Sequence, residues 1–319
     1  MKVLVADKFE KSGLDGLAAL GCEVISNPDL NGDSLRDELA STQAEVLIVR
    51  STKVTADMID ASSLKVIIRA GAGYNTIDVA AASAKGVRVA NCPGMNAAAV
   101  AELAFALILG IDRHVADNVA QFNAGTWNKK GFGKANGVKG QTLGLIGFGS
   151  IGKEMVPRAK AFGMNVLVFS GHLSDADTAA MGVSKAASLT DLAAKSDVVS
   201  LHVSMRPDTK GLVNADVFNA MKPGATFINT SRCETVDEEA LIAAVKEGRI
   251  RAGLDVFNGE PATADGEVSS PLQGLKGCYV THHIGASTNQ AQEAVAEETV
   301  RIVKVFKESG DVPNCVNPA

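Results

Sequence analysis

Cysteine is scarce and scattered in this chain. The five residues, Cys22, Cys92, Cys233, Cys278 and Cys315, are odd in number and form no C-x-x-C pair. Such a distribution supports neither a disulfide framework nor a zinc site. It suits a reducing cytosol, so a cytoplasmic protein without a metal is expected. A surplus of positive charge is also absent, the formal net charge being -5. Broad nucleic-acid binding needs a basic surface and is not expected; an anionic substrate would have to be held by local Arg and Lys. Long apolar runs are missing too. The longest tract, residues 97–111, is too short to span a bilayer and contains Glu102, so it reads as a buried helix and no membrane partner is expected. The opening residues Met1-Lys2-Val3-Leu4-Val5-Ala6-Asp7 read as a short strand without the apolar core of a signal peptide. Low-complexity segments and short-period repeats are lacking. What is present is 319 residues, 46% of them hydrophobic, enough for two domains with separate cores.

The first part of the chain alternates short runs rich in Val and Ile with helical stretches. Residues 2–6, 23–25, 46–49, 66–69 and 88–90 read as strands, and 13–20, 33–41, 55–61 and 79–85 as helices. Alternation of this kind implies a parallel sheet covered on both faces. Ligands of such sheets sit beyond the carboxyl ends of the strands. The candidate loops there are Arg50-Ser51-Thr52, Ala70-Gly71-Ala72-Gly73 and Cys92-Pro93-Gly94-Met95-Asn96. A single long helix is expected over 98–123, with the first crossing between domains near Ala97. A second alternating series follows, with strands at 142–146, 165–169, 198–201, 226–229, 253–256 and 278–281. The last helix is expected over 289–309. Val295, Ile302, Val303 and Phe306 fall at helical spacing, and Thr299 fills the same stripe, its methyl packing while its hydroxyl bonds back to the helix. By spacing alone this helix could close either sheet.

Gly144-Leu145-Ile146-Gly147-Phe148-Gly149-Ser150-Ile151-Gly152 organises the second series. A strand runs into a tight turn and then into a helix over about 150–162. Gly147 permits the turn, Gly149 presents no side chain to a pyrophosphate, and Gly152 lets helix and strand approach. Free N–H groups at the helix start favour the phosphates. A second strand at βαβ distance supports a dinucleotide site over an ordinary glycine turn.

Three later segments end strands of the same series. Asn229-Thr230-Ser231-Arg232 supplies an arginine, Asp255 to Pro261 supplies the acids Asp255 and Glu260, and Thr281-His282-His283 supplies paired histidines. Arg can grip a carboxylate through two parallel bonds. His can exchange the proton that accompanies hydride transfer, and a carboxylate can orient it and raise its basicity. Singly, a loop Arg is usually solvated and a Glu before Pro is usually a surface residue. Of two adjacent histidines at a strand end, one at most faces a given site.

The ordered set of segments resembles the D-2-hydroxyacid dehydrogenase family, most closely its D-3-phosphoglycerate dehydrogenase branch. It runs through Val49-Arg50-Ser51-Thr52, Arg69-Ala70-Gly71-Ala72-Gly73-Tyr74, Asn91 to Asn96, Ala101-Glu102-Leu103, Gly147 to Gly152, Asn229 to Arg232 with Val236 to Leu241, Gly253 to Val256, Glu260-Pro261 and His283 to Thr288. The resemblance implies a Rossmann dinucleotide-binding domain over 98–288. A discontinuous flavodoxin-like substrate domain over 1–97 and 289–319 would complete two doubly wound α/β sheets flanking a cleft. It implies catalytic roles for Arg232 on the substrate carboxylate and carbonyl, His283 as acid/base and Glu260 as its partner. It implies cofactor contacts from Gly147, Gly149, Ser150, Ile151, Gly152, Ser170, Val203, Ser204, Thr230 and Asp255, the last near the nicotinamide carboxamide. Arg50, Ser51, Gly73 and Asn96 would face the substrate.

The sequence departs from the family pattern at several points. Ser170 stands where NAD-preferring members carry Asp, and Phe169-Ser170-Gly171-His172 resembles the corresponding segment of NADP-using relatives, with His172 in place of Arg. NAD is therefore expected, with NADP possible. His282 replaces the usual Pro before the acid/base, and Cys233 the usual Gly after the arginine. Lys129 or Lys130 stands where relatives often reach an Arg into a partner subunit, and a homodimer through the dinucleotide-binding domain is expected. With the last helix followed closely by Ala319, feedback by serine through the regulatory domain of the longer phosphoglycerate dehydrogenases is not expected. The leading expectation is oxidation of D-3-phosphoglycerate at C2, the entry to serine biosynthesis. The alternatives are a glyoxylate or hydroxypyruvate reductase and, from another class, a dinucleotide-sensing corepressor-like protein.

Overall fold

Short β-branched runs with no polar alternation make strands that are buried on both faces, and such strands form parallel sheets. The computed structural model describes residues 1–171, 173–261 and 266–318. The chain divides into two compact units, Met1–Asn96 with Ala286–Ala319, and Ala97–Gly285.

The first unit begins β1 (Lys2–Val5), α1 (Lys11–Ala19), β2 (Glu23–Ser26), α2 (Gly32–Thr42) and β3 (Val46–Val49). It continues α3 (Ala56–Asp60), β4 (Val66–Arg69), α4 (Val79–Ala84) and β5 (Arg88–Asn91). The five strands are all parallel in the order β2-β1-β3-β4-β5, the doubly wound arrangement. Alternate residues of one strand feed opposite layers. Leu4, Leu47 and Ile67 pack with Leu35, Leu39 and Ile59 of α2 and α3, while Val3, Val5, Ile48 and Ile68 join a second layer with Leu17 of α1.

The second unit opens with α5 (Ala97–Asp112) and α6 (Val115–Asn123), where one continuous helix over 98–123 is expected from the sequence. The helix breaks at His114, whose φ of 52° is left-handed. Competing partners explain the break. The Arg251 guanidinium and the His114 N–H both donate to the Ile111 carbonyl, and the buried Asp112 carboxylate accepts the Gly137 N–H at 3.0 Å. Beyond the break α6 buries none of its residues.

There follow β6 (Thr142–Ile146), α7 (Ser150–Ala161), β7 (Asn165–Phe169), α8 (Asp175–Met181), β8 (Ser184–Lys185), α9 (Leu189–Lys195) and β9 (Val198–Leu201). Then come α10 (Ala215–Ala220), β10 (Thr226–Asn229), α11 (Glu238–Lys246), β11 (Arg251–Leu254) and β12 (Cys278–Val280). The seven parallel strands run β12-β11-β10-β9-β6-β7-β8, so the order reverses between β6 and β9, the place where doubly wound sheets bind ligands. Two apolar layers enclose the sheet. Leu201, Phe227 and Leu254 face α9, α10 and α11; Leu145, Val168 and Ile228 face α5 and α7. Gly144 allows the close approach of α9, because a Cβ there would collide with Ser196 and Leu192. Strand β11 starts and ends two residues earlier than the apolar run suggests. Arg251 anchors its start through Ile111 and Gly224 carbonyls, and just past its end the Asp255 carboxylate is taken by the Ile284 and Gly285 N–H groups.

The last helix, α12 (Asn289–Ser309), returns to the first unit. The Thr288 hydroxyl caps it by accepting the Ala291 N–H at 3.1 Å, and Gly310 ends it in the left-handed region that glycine takes without strain. Val295, Ile302 and Val303 are buried on the α1 face of the sheet, each worth about 1.5–3 kcal/mol in burial. Thr299 is fully buried on that stripe. Its hydroxyl donates to the Val295 carbonyl at 2.8 Å and lies 3.4 Å from the Cys92 thiol.

Candidate active site

The glycine turn lies at the order reversal of the seven-stranded sheet. Gly147 has a φ of 97°, and a Cβ there would collide with the carbonyl of His202, the first residue beyond β9. At Gly152 a Cβ would lie 2.6 Å from the Gly147 carbonyl oxygen, whereas at Gly149 nothing stands within 4 Å. Two of the glycines are therefore required by the chain's own packing. Gly149 leaves open space at the start of α7. Helices α9, α10, α11 and α12 have first turns closed by side chains of Ser188, Asn214, Asp237 and Thr288. Helix α7 starts at Gly149 with no side-chain cap, and Ser150 and Ile151 form its first turn. Uncapped N–H groups, the positive end of the helix dipole and an open approach fit a pyrophosphate.

The flanking residues complete this edge. Val203 follows His202 and packs against Gly147, and Ser204 is exposed, its carbonyl accepting the Thr209 hydroxyl at 2.7 Å. Thr230 follows β10 and is buried, and its hydroxyl has no partner among the described residues. A buried hydroxyl without a partner is costly, and a cofactor amide or ribose would satisfy it. Ser170 follows β7 and is half-buried. His172, expected beside a cofactor phosphate, lies outside the described residues.

Arg232, Glu260 and His283 come together in this same unit. Buried Asn229 shapes the turn that carries the arginine. Its Oδ1 accepts the Ser231 N–H and hydroxyl at 2.9 and 2.8 Å, and its amide donates to the Arg232 carbonyl at 3.1 Å. The Arg232 guanidinium donates to the Ser231 carbonyl at 2.7 Å. Glu260 Oε1 accepts the Phe257 N–H at 3.0 Å, and its Oε2 lies 2.7 Å from His283 Nδ1. With Nδ1 occupied, Nε2 is the ring nitrogen left for a substrate proton. His282 is exposed and has no hydrogen-bond or ion-pair partner among the described residues.

Electrostatics follow from this pairing. The hydrogen bond and negative charge of Glu260 raise the His283 pKa above its ordinary value, against burial and the Arg232 charge. Burial opposes ionisation of Glu260. The bonds from His283 and Phe257 and the His283 and Arg232 charges outweigh it, so its pKa is lowered. Cys233 is pushed up to about 12 by burial and by Glu234 and Glu260, so its thiol stays protonated and takes no anionic role. Asp255 is 1% exposed, and three donors occupy its carboxylate: the Thr281 hydroxyl at 2.6 Å, the Ile284 N–H at 2.9 Å and the Gly285 N–H at 2.8 Å.

The other candidates lie in the first unit. Asp7 follows β1, and its carboxylate accepts the N–H groups of Arg50, Ser51 and Thr52 at 2.6, 3.1 and 3.1 Å and the Ser51 hydroxyl at 3.2 Å. The backbone donors of the loop after β3 are thus already bound to an internal anion. The Arg50 guanidinium makes no hydrogen bond or ion pair among the described residues. Gly73 and Asn96 are half-buried in loops beyond β4 and β5. Those loops are joined by the Cys92 N–H to the Gly71 carbonyl and by the Asn91 amide to the Ala72 carbonyl.

Residues 105–285 match the profile of the D-isomer-specific 2-hydroxyacid dehydrogenase NAD-binding domain. A hydroxypyruvate reductase of Thermotoga maritima is 44% identical over 86% of this chain and 89% of its own length. The chain belongs to the D-2-hydroxyacid dehydrogenase family. A D-3-phosphoglycerate dehydrogenase of Methanocaldococcus jannaschii is 38% identical over 95% of the chain, which spans only 58% of that relative. A solved structure of a protein from Thermus thermophilus superposes with a TM-score of 0.87 at 33% identity, covering 99% of this chain and all of that one.

This dehydrogenase is an oxidoreductase that moves a hydride between a nicotinamide cofactor and a D-2-hydroxy acid. Among the described residues no cluster of His, Cys, Asp and Glu is placed to hold a metal ion, and no helix is long and apolar enough to cross a membrane. Sequence reasoning gave no role to Asp7, Asn229 or Thr281. Each orders a loop through short-range bonds to residues distant in the sequence or to its own turn. Asn229 alone carried a signal, as a buried-type polar residue closing an apolar strand.

Proposed function

We propose that the dehydrogenase reduces a small unphosphorylated 2-oxo acid of the hydroxypyruvate or glyoxylate type to its D-2-hydroxy acid. The observation that carries this reading is the Asp7 carboxylate, which takes the N–H groups of Arg50, Ser51 and Thr52. A phosphate would have to compete with a built-in anion for those donors, at a cost in like-charge repulsion. The similarity to the hydroxypyruvate reductase, over nearly its full length, points the same way. Bound as the reduced dinucleotide, the cofactor supplies the hydride. Arg232 grips the substrate carboxylate and polarises the carbonyl oxygen. His283, whose charged form Glu260 favours, donates its Nε2 proton to that oxygen as the C2–H bond forms.

A second reading is oxidation of D-3-phosphoglycerate. It is favoured by the unpaired guanidinium of Arg50 and by the similarity to phosphoglycerate dehydrogenases. Comparing kcat/KM for hydroxypyruvate, glyoxylate and 3-phosphohydroxypyruvate in the wild type and in Arg50→Ala separates the two. The first reading expects a preference for the unphosphorylated acids and little change on substitution. A preference for the phosphorylated acid that drops by about 1.5–3 kcal/mol in Arg50→Ala, the worth of a charge-assisted bond, would replace it with the second.

The same proposal extends to assembly. Val115 and Val119 on α6 are 50% and 54% exposed, Phe122 one turn on is 64% exposed, and Trp127 is 79% exposed. This apolar face of the cofactor-binding unit fits a second copy of the chain. Light scattering should give a dimer in the wild type and a monomer in a Val119→Asp, Phe122→Asp double variant. A monomeric wild type would refute the assignment.

A further inference from the structure

Strand β5 is at the edge of the first unit's sheet, and an edge strand presents a row of backbone groups to whatever lies beside it. Here the segment that follows α12 takes them. The Asn317 amide donates to the Val87 carbonyl at 2.9 Å, and the Val316 N–H donates to the Val89 carbonyl at 2.8 Å. Asn317 Oδ1 accepts the Val89 N–H at 2.7 Å, and Cys315 bridges Ala90 in antiparallel register. At the end of the strand the Asn314 amide donates to the Asn91 carbonyl at 3.2 Å. An asparagine therefore closes each end of this cover.

The two asparagines differ in what they reach. Asn317 bonds groups near the start of β5 and the Ser83 hydroxyl of α4. Asn314 also donates to Glu298 Oε1 of α12 at 2.7 Å, and the Arg301 guanidinium holds that carboxylate in place. Its φ of 55° is left-handed, a conformation that asparagine tolerates better than most residues. Its partner Asn91 is buried, and the Asn91 amide donates to the Ala72 carbonyl at 2.6 Å. Asn314 thus holds the residue that joins the loop after β5, which carries Asn96, to the loop after β4, which carries Gly73. The next residue of α12, Thr299, stands 3.4 Å from the Cys92 thiol. Helix α12 therefore reaches the end of β5 directly through Thr299 and again through Asn314.

We propose that Asn314 is a positioning residue for substrate binding, tying α12 to the end of β5 and thereby fixing the two loops that carry Gly73 and Asn96. The inference rests on the reduction of a 2-oxo acid proposed above and on the substrate-facing role that the family resemblance implies for Gly73 and Asn96. Arg232, Glu260, His283 and the cofactor turn all belong to the other unit. Loosening the loops of the first unit therefore weakens substrate binding and leaves the chemical step and the cofactor site in place.

The test compares Asn314→Gly and Asn317→Ala with the wild type. Glycine keeps the left-handed backbone at position 314 without strain and removes only the amide. The readouts are Tm, NADH affinity from the fluorescence of the bound dihydronicotinamide, KM and kcat for hydroxypyruvate, glyoxylate and 3-phosphohydroxypyruvate, and backbone hydrogen exchange by mass spectrometry. Asn314→Gly should raise KM about 3- to 10-fold, the worth of one hydrogen bond. Its kcat and NADH affinity should stay within about twofold, as expected for a loss of binding alone. Exchange should quicken in residues 71–74 and 92–96. Asn317→Ala should lower Tm yet leave KM and the exchange of both loops unchanged. If Asn314→Gly fails to fold, Glu298→Gln, which weakens the anchor of Asn314 on α12, decides by the same readouts. An unmoved KM in Asn314→Gly overturns the proposal. So does a KM raised alike in Asn317→Ala, which would make the segment a stabilising cover and nothing more. A wild type that reduces only 3-phosphohydroxypyruvate defeats the functional reading, while KM for that acid still judges Asn314. In a wild type that reduces none of the three acids, exchange judges it, and unchanged exchange in both loops overturns the proposal.

Discussion

His283 Nδ1 lies 2.7 Å from Glu260 Oε2, and the other oxygen of that carboxylate is already held by the Phe257 N–H. The pair is therefore oriented from the carboxylate side before any substrate arrives. On the roles proposed above, His283→Ala should lower turnover by about two to four orders of magnitude. His282→Ala should change it little, because that ring has no partner among the described residues. Equal losses in the two variants would contradict the assignment.

The pH dependence has a definite sign. Glu260 raises the His283 pKa above 6.5, so the imidazolium that reduction requires persists to higher pH than in an isolated histidine. Glu260→Gln removes the charge, and the high-pH limb of kcat for reduction should move down. The same pair links pH to stability. Its contribution is complete between the ordinary Glu260 value of 4.5 and the ordinary His283 value of 6.5. It is lost as pH rises through the raised His283 pKa, and lost again as pH falls through the lowered Glu260 pKa. Urea melts of the wild type and Glu260→Gln across this range should converge at both extremes.

The glycines of the cofactor turn should separate folding from binding. At Gly149 an added methyl meets nothing of the protein, whereas at Gly147 it meets the His202 carbonyl in a left-handed backbone. Gly149→Ala should keep the wild-type Tm and weaken NADH binding. Gly147→Ala should lose both. A Gly149→Ala protein with unchanged NADH affinity would remove the proposed role of that residue.

Cofactor choice is testable at the end of β7. Ser170 carries no charge to bind ribose hydroxyls or to repel a 2′-phosphate, so NADH and NADPH should be poorly discriminated. Ser170→Asp should raise the NADH preference in kcat/KM. A wild type already strongly selective for NADH, and unaffected by the substitution, would count against this reading.

His202 makes a prediction about acid. It is buried, its Nε2 lies 2.8 Å from the Ser200 hydroxyl, and burial lowers its pKa to about 3. The unfolded chain protonates this group near 6.5 while the folded chain does not. Stability should therefore fall as pH drops below the unfolded value, by up to about 1.4 kcal/mol per pH unit for this one group. Urea melts between about pH 7 and pH 5 should show a shallower dependence in His202→Gln. An identical slope in both proteins would refute it.

The sheets were legible because both are built from apolar runs with no competing pattern. Val46–Val49 and Thr226–Asn229 need no partner to be read as strands. The dinucleotide turn was legible because Gly147 and Gly152 are required by packing that the spacing encodes, and Gly149 stands between them. The break at His114 was not, since it depends on Arg251, more than a hundred residues away, taking a carbonyl of α5. The two-residue strand β8 was missed because both its residues are exposed and carry no apolar signal. At the site, Arg232, Glu260 and His283 could be named from their segments. The grip of Asp7 on the Arg50 loop could not, because it joins residues 43 to 45 positions apart with no periodic mark.

Helix α12 has a consequence for the order in which the protein matures. Val3, Val5, Ile48 and Ile68 share one layer of the first sheet with Val295, Ile302 and Val303. Residues 97–285 lie between the two parts of that layer. At about 5–20 residues per second, a ribosome needs on the order of 10–40 s to make the intervening segment. During that interval the earliest strands wait with one oily side uncovered while the cofactor-binding unit, continuous in sequence, can already be complete. The half of the protein made first is thus the half finished last, and in the nascent chain it is the natural client for a chaperone.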